Sequence, residues 1–374
     1  MTNKGLYKET NENNGSGKQM QYLDDITDAF IAEMLLEKPD FIIVSGDNTF
    51  NGSKESHLAF ADKFSALTEA GITVLTIPGN HDIKEPSYIF PDGEYQVAPS
   101  VTPEEFAEIY SLFGYSGGIS YDENSLSYVY DSGKGVRFFM LDTNMIYGAT
   151  FGSLSTKTIE WLEKELMACK EAGDIPFVSG HHNLFVHNEM FTFGYTVKDN
   201  DKLAELLAKY GADIYLSGHI HPQHIAKETG ITDIAGGSFA VYPHRYGVID
   251  FSKDGWIYES HGTDVEAYAR NIQSTNPDLL NYSEFGYDFF YNNAYEQAYG
   301  ALSSVVEDAS LLEKYADFSA QLNVAYFGGT FSDVDLSIAE EFLEASSETR
   351  WGIYMKHVLE DTADNIFCTS EKEN

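Results

Sequence analysis

The chain has 374 residues, 43% of them hydrophobic and 14% aromatic, with 25 Tyr and 25 Phe. That is enough apolar material for a sizeable core and excludes a disordered chain. With 59 acidic against 23 basic side chains the formal charge is −36, a field that repels phosphate backbones and anionic membrane surfaces and weighs against a long nucleic acid as partner.

Residues 1–18, rich in Asn, Gly, Lys and Glu, read as a lead-in. From Gln19 to Lys38, Tyr22, Ile26, Phe30 and Met34 recur at helical spacing. An apolar run, Phe41 to Val44, then ends in Ser-Gly-Asp; a helical stretch covers Lys54 to Ala70; a second run, Ile72 to Ile77, ends in Pro-Gly-Asn-His-Asp. The theme continues with a strand at Val136 to Leu141, a helix from Ser155 to Glu171, a strand at Pro176 to Ser179 ending in His-His-Asn, a helix near Asp199 to Tyr210, and a strand at Asp213 to Ser217 ending in Gly-His-Ile-His. Separate strands thus deliver polar residues to one sheet edge, where ligands bind in open α/β folds. From Ile231 to His261 the segments ITDIAGG, FAVY, YGVIDF and GWIYESH predict adjacent strands of a second sheet.

Beyond residue 262 helical spacing dominates to Asn374, including the aromatic stretch FGYDFFYNNAYEQAY, whose rings are read as core. The expected architecture is α/β, a layered β-sandwich flanked by helices over residues 19–261, followed by a helical C-terminal subdomain over 262–374. Cys169 and Cys368 lie about 200 residues apart and form no CxxC or Cys/His cluster, so neither a disulfide framework nor a zinc finger is indicated. No run approaches the ~18 apolar residues of a membrane span, and the first residues lack the basic-then-apolar pattern of a signal peptide. The sequence leaves the compartment open.

Gly46-Asp47, Gly79-Asn80-His81-Asp82, Gly180-His181-His182 and Gly218-His219-Ile220-His221 carry the chemistry. Each alone is weak, since Gly-Asp is commonplace and a lone His is more often structural than a ligand. Four in order, each closing a predicted strand, are not. A carboxylate at Asp47 offers one oxygen to each of two cations, Asn80 adds a neutral amide oxygen, and His219 and His221, two apart in extended backbone, leave on the same face.

In this order the segments resemble the calcineurin-like metallophosphoesterase family over roughly residues 20–260. The resemblance implies a layered sandwich fold and hydrolysis of a small phosphate mono- or diester by two divalent or trivalent metal ions, with Mn, Fe and Zn all suited to such ligands. It implies that Asp47 bridges, that Asn80, His181 and His219 bind one metal and His221 the other, and that His81 faces the substrate as stabiliser or proton donor. Asp82 either orients His81 or caps the following turn. His182, His57 and His224 are candidate pocket residues, each weighed against a structural role: a neighbour of the site for His182, loop ordering for His57, surface for His224. The stretch GDNTFNGSKESH with Tyr242-Pro243-His244 resembles a bacterial branch of the family often found outside the cytoplasm.

The family opens with a strand ending in Asp-x-His, and no aspartate before Asp47 is followed two positions later by His. The chain as written is therefore expected to start after that strand, with one metal position supplied in full and the other holding only Asp47 and His221. A version extended upstream is expected to be more stable and more active. The alternative function is a degenerate member that binds metal weakly and turns over little. A metallo-β-lactamase-like enzyme is disfavoured, because Gly218-His219-Ile220-His221 is followed by Pro222-Gln223 rather than by that family's acidic and imidazole ligands.

Overall fold

The computed structural model describes residues 17–84, 86–89, 94–252 and 255–370. Helix α1 (Leu23–Glu37) turns Ile26, Phe30, Ile31 and Met34 inward and ends at Lys38, whose φ is 52°. Strand β1 (Phe41–Val44), helix α2 (Lys54–Glu69) and strand β2 (Thr73–Thr76) follow. The Ser53 side chain caps α2 by accepting from Ser56 N.

Next come β3 (Ser87–Ile89), β4 (Gln96–Ala98), α3 (Pro103–Ile109), β5 (Ser120–Tyr121) and β6 (Tyr128–Asp131), then β7 (Val136–Leu141), α4 (Thr156–Ala172), β8 (Ile175–Gly180), α5 (Asn200–Lys209) and β9 (Ile214–Ser217). Four further strands, β10 (His224–Glu228), β11 (Ile231–Ala235), β12 (Arg245–Ser252) and β13 (Gly255–Gly262), precede the helices. These are α6 (Val265–Asn271), α7 (Pro277–Leu280), α8 (Tyr282–Leu302), α9 (Ala309–Gly328), α10 (Ala339–Ser346) and α11 (Arg350–Leu359), and strand β14 (Phe367–Thr369) follows them.

A seven-stranded sheet runs in the order β10-β11-β9-β8-β7-β6-β5. Its centre, β11, β9, β8 and β7, is parallel, and the flanking strands are antiparallel. On one face α4 and α5 bring Leu162, Leu166, Leu203 and Leu207 against Phe139, Val178 and Tyr215, all buried. On the other, Phe138, Met140, Phe177 and Ile234 meet Trp256 and Tyr258 of β13, which makes the molecule a sandwich. Facing the large sheet, β1 and β2 form a parallel pair and β12-β13-β14 a trio.

Among the described residues β1 pairs only with β2, and β12 only with β13. Both strands line one cleft of about 1460 Å³ whose apolar walls include Ile43, Val44, Phe177, Leu216, Ile249 and Phe251.

Three expectations need correction. Ile231–Ala235 joins the seven-stranded sheet beside β9 rather than the second sheet, because all five of its residues are buried and such a strand needs cover on both faces. Residues 239–242 form no strand; they run through a turn to the cis Tyr242–Pro243 bond. The C-terminal region is helical, as read, yet its last segment returns to the sheet, where Cys368 sits opposite Tyr258. That region has its own core, in which α8, α9, α10 and α11 enclose Leu302, Leu322, Phe342 and Met355.

Candidate active site

Loops that leave the C-terminal ends of β1, β2, β8 and β9 meet at the polar end of the cleft, which Asp47, His81, His181, His219 and His221 line. Two glycines permit the approach. A Cβ on Gly79 would lie 2.2 Å from Asp47 Oδ1, and one on Gly46, whose φ is 93°, would lie 2.6 Å from Gly79 N and 2.8 Å from His181 Nδ1. Asp47 itself sits at φ 53°, a left-handed turn that swings its carboxylate back over the strand end.

Asp47 Oδ1 accepts from His81 N at 2.9 Å, and Oδ2 lies 3.4 Å from His181 Nε2. The same Nε2 is 3.2 Å from Asn80 Oδ1. On its other side His181 donates Nδ1–H to Ser45 O at 2.9 Å. In the neutral ring Nε2 is then a lone pair aimed at two oxygens, and only a proton or a cation placed among the three makes that arrangement favourable. Burial opposes charge on both partners, yet each sustains the other: the His181 ring holds the Asp47 carboxyl well below its usual range, and Asp47 raises His181.

His219 donates Nε2–H to Gly194 O at 3.0 Å, so its Nδ1 carries the lone pair, and its ring lies 5.0 Å from that of His181. Burial pushes His219 down to about 4 and His221 to about 3, so both are neutral near pH 7, the form in which imidazole binds metal.

The extended-backbone argument for these two histidines fails. Residues 219 and 221 have φ of 62° and 80°, and the segment turns instead of running as a strand. Asp47, Asn80 and His181 therefore fit one cation by donor type and convergence. Asp47, His219 and His221 border the same space, but among the described residues no group of three or more His, Cys, Asp or Glu side chains is gathered closely enough to hold an ion.

His81 donates Nδ1–H to Phe50 O at 2.8 Å, which leaves Nε2 available on the partly exposed side of the ring. Asp82 does not orient it. Asp82 is fully buried and accepts from Asn48 N, Thr49 N, Thr49 Oγ1 and Gly79 N at 2.9–3.0 Å, which clamps the Asp47 and Asn80 loops together.

His182 is buried with both nitrogens engaged: Nε2–H donates to Thr150 O at 3.2 Å, and Nδ1 accepts from Thr143 Oγ1 at 2.7 Å. Burial takes it well below the usual imidazole range. It packs on His219, with rings 4.5 Å apart, as a wall of the site.

His57 and His224 are not brought to the cleft. His57 accepts from Tyr110 Oη and donates Nε2–H to Asp82 O, both at 2.8 Å, and so orders the loop. His224 is buried beside His187, not on the surface.

Some supporting groups were not singled out from the sequence. Asp233 in β11 is fully buried and accepts from Leu184 N, Phe185 N and Ser217 Oγ; its only trace in the sequence is an acid inside an apolar run. Asp142, directly after β7, accepts from Leu126 N, Asn144 N and Tyr147 Oη.

The protein is thus an α/β sandwich whose strand ends bring Asp, Asn and His side chains together at one cleft. The chain belongs to the calcineurin-like phosphoesterase family, whose model matches residues 17–223, and residues 264–365 match the C-terminal domain of cyclic nucleotide phosphodiesterase.

Among curated relatives, a probable glycerophosphodiester phosphodiesterase of Arcobacter nitrofigilis is 29% identical over 195 residues, covering 50% of this chain and 58% of that protein. Tartrate-resistant acid phosphatase type 5 of Mus musculus is 34% identical over 116 residues, covering 28% of this chain and 34% of that protein. The chain thus spans between about a third and three fifths of these relatives' lengths. A dimetal phosphatase from Danio rerio aligns with a TM-score of 0.47 and 12% identity, covering 64% of this chain and 86% of that one. No helix among the described residues is long and apolar enough to cross a membrane.

Proposed function

We propose that this chain hydrolyses a small phosphate mono- or diester with metal ions held by Asp47, Asn80, His181, His219 and His221, Asp47 being shared between two positions. The observation that carries the reading is His181 Nε2 facing Asp47 Oδ2 and Asn80 Oδ1 at 3.4 and 3.2 Å, with the ring's other nitrogen already committed to Ser45 O. Mn, Fe or Zn suits these donors. When bound, the ions supply the positive charge that offsets charge developing on phosphoryl oxygens.

The chain's own residues do the rest. His81, fixed by Nδ1–H donation to Phe50 O, presents Nε2 to the substrate, and in its imidazolium form that nitrogen hydrogen-bonds a phosphoryl oxygen or protonates the leaving oxygen. Asp82 keeps the Asp47 and Asn80 loops in register. His182 packs against His219 and leaves its ring little freedom. Residues 19–261 are the catalytic unit in this reading and 262–374 a helical subdomain beside it.

A second reading, a weakly active member that holds one ion, is favoured by the uneven donor supply: Asp47, Asn80 and His181 converge, whereas His221 has no converging partner besides Asp47 among the described residues. Metal content and turnover of p-nitrophenyl and bis-p-nitrophenyl phosphate in the Mn²⁺-loaded chain decide between them. Two ions per chain with saturable turnover support hydrolysis. One ion with negligible turnover overturns it in favour of the second reading.

A further inference from the structure

Where the large sheet meets the helical region, four titratable groups stand in line. His187, in the loop after β8, and His224, at the start of β10, are 6% and 5% exposed. Their Nδ1 atoms face each other at 2.9 Å. At the outer ends His187 Nε2 lies 3.1 Å from Asp233 Oδ2, and His224 Nε2 lies 3.4 Å from Asp361 Oδ2, just beyond α11.

Two bare nitrogens do not face at that distance, nor do two N–H groups, so one proton lies between the Nδ1 atoms. Each Nε2 lies within ion-pair distance of a carboxylate oxygen, Asp233 on one side and Asp361 on the other.

The inner carboxylate does more than close this line. Asp233 Oδ2 accepts from Leu184 N at 2.7 Å and Phe185 N at 2.9 Å, and Oδ1 accepts from Ser217 Oγ at 2.7 Å. Asn183 Nδ2 donates to the same Ser217 Oγ at 2.8 Å and to Gly218 O at 3.1 Å. These are the segments directly after His181 and His182 and directly before His219. A fully buried acid therefore ties the segments that carry both imidazole loops, and the histidine pair connects it to an acid of the helical region.

We propose that Asp233, His187, His224 and Asp361 form a positioning chain through which docking of the helical region sets the His181 and His219 loops. The kinetic part of this proposal rests on the phosphoester-hydrolase reading; the structural part does not. None of the four touches substrate or metal. Their effect passes through backbone placement, as outer partners of a metal site act.

The test uses the full chain with Mn²⁺ and bis-p-nitrophenyl phosphate. Asp361→Ala removes the outermost group, whose side chain is 51% exposed, without opening the core. Mn²⁺ affinity and kcat are each expected to fall roughly tenfold with KM unchanged. Asp361→Glu is expected to restore both, and the His187→Gln/Asp361→Ala double variant to be no worse than His187→Gln alone. A lower melting temperature with wild-type Mn²⁺ affinity and kcat would reduce the chain to an anchor and overturn the proposal.

If the wild-type chain neither binds Mn²⁺ nor hydrolyses the diester, the hydrolase reading fails by itself. The coupling is then read by amide exchange across residues 181–185 and 217–221. Faster exchange in Asp361→Ala upholds it, and unchanged exchange overturns it.

Discussion

The two layers of the sandwich differ in how completely they are paired. In the seven-stranded sheet β7, β8 and β9 have neighbours on both sides, and Phe139, Met140, Val178 and Tyr215 are fully buried. In the facing layer β1 and β12 each have one partner among the described residues, and the apolar residues along their seam, Ile43, Val44, Ile249 and Phe251, stay half-buried around the cleft. The site takes from both layers: His181 and His219 leave the paired sheet, and Asp47 and Asn80 leave the open one. The placement of these side chains therefore depends less on sheet continuity than on buried carboxylates. Asp233 ties the loops on one side, and Asp82 ties them on the other.

The sharpest way to break this comparison is to remove a ligand from each layer. His181→Ala and Asp47→Ala are each expected to lower kcat/KM for bis-p-nitrophenyl phosphate by at least about 100-fold, because a lost ligand costs more than a lost outer partner. Near-wild-type turnover in either variant removes that residue from the site, and a large loss in one alone means that a single layer carries the chemistry.

Stability separates the layers next. Leu166 is fully buried against the paired sheet, and Leu166→Ala is expected to cost about 2–5 kcal/mol in urea unfolding. Ile43 borders the cleft, and Ile43→Ala is expected to cost less than about half of that, because half-buried methyl groups lose less transfer energy and leave no closed cavity. Equal costs would mean that the seam is as well packed as the core.

Metal tests the junction itself. With Mn²⁺ at about 100 times its Kd, binding to the folded state alone raises stability by about 2.7 kcal/mol. The expected result is a rise in melting temperature that His181→Ala abolishes and Leu166→Ala leaves intact. A rise that survives His181→Ala places the ion elsewhere.

Much of this was legible in the sequence, and for a physical reason. A short apolar run that ends in Gly and polar residues is the signature of a parallel strand delivering side chains to a sheet edge, so β1, β2, β8, β9 and their loops could be placed by reading. What reading missed depends on partners far away in sequence. Residues 219 and 221 turn through positive φ, which no local pattern at Gly-His-Ile-His announces. The role of Asp82 rests on amides of residues 48, 49 and 79, and His57 closes on Tyr110 across 53 positions. The cap of Ser53 on α2 is local and readable; the Asp233 network joins the segment that follows β8 to the end of β9 and is not.

The smallest effect lies on the open layer, at the loop before β12. His244 is 1% exposed; its Nδ1–H donates to Phe239 O at 2.9 Å, and its Nε2 lies 3.2 Å from Tyr282 Oη of α8. Burial pushes it down to about 4, so the folded protein keeps this ring neutral while the unfolded chain protonates it near its ordinary pKa of about 6.5. The unfolded state then binds the extra proton, and stability falls as pH drops from about 6.5 towards 4, with no further loss from this residue below that. One pH unit inside the window is worth up to about 1.4 kcal/mol. Urea midpoints at pH 7.5 and 5.0 are therefore expected to differ less in His244→Gln than in the wild type, because glutamine does not titrate. If the two proteins lose stability equally over that interval, the acid sensitivity of the open layer comes from other groups, and the contact between this loop and α8 plays no part in it.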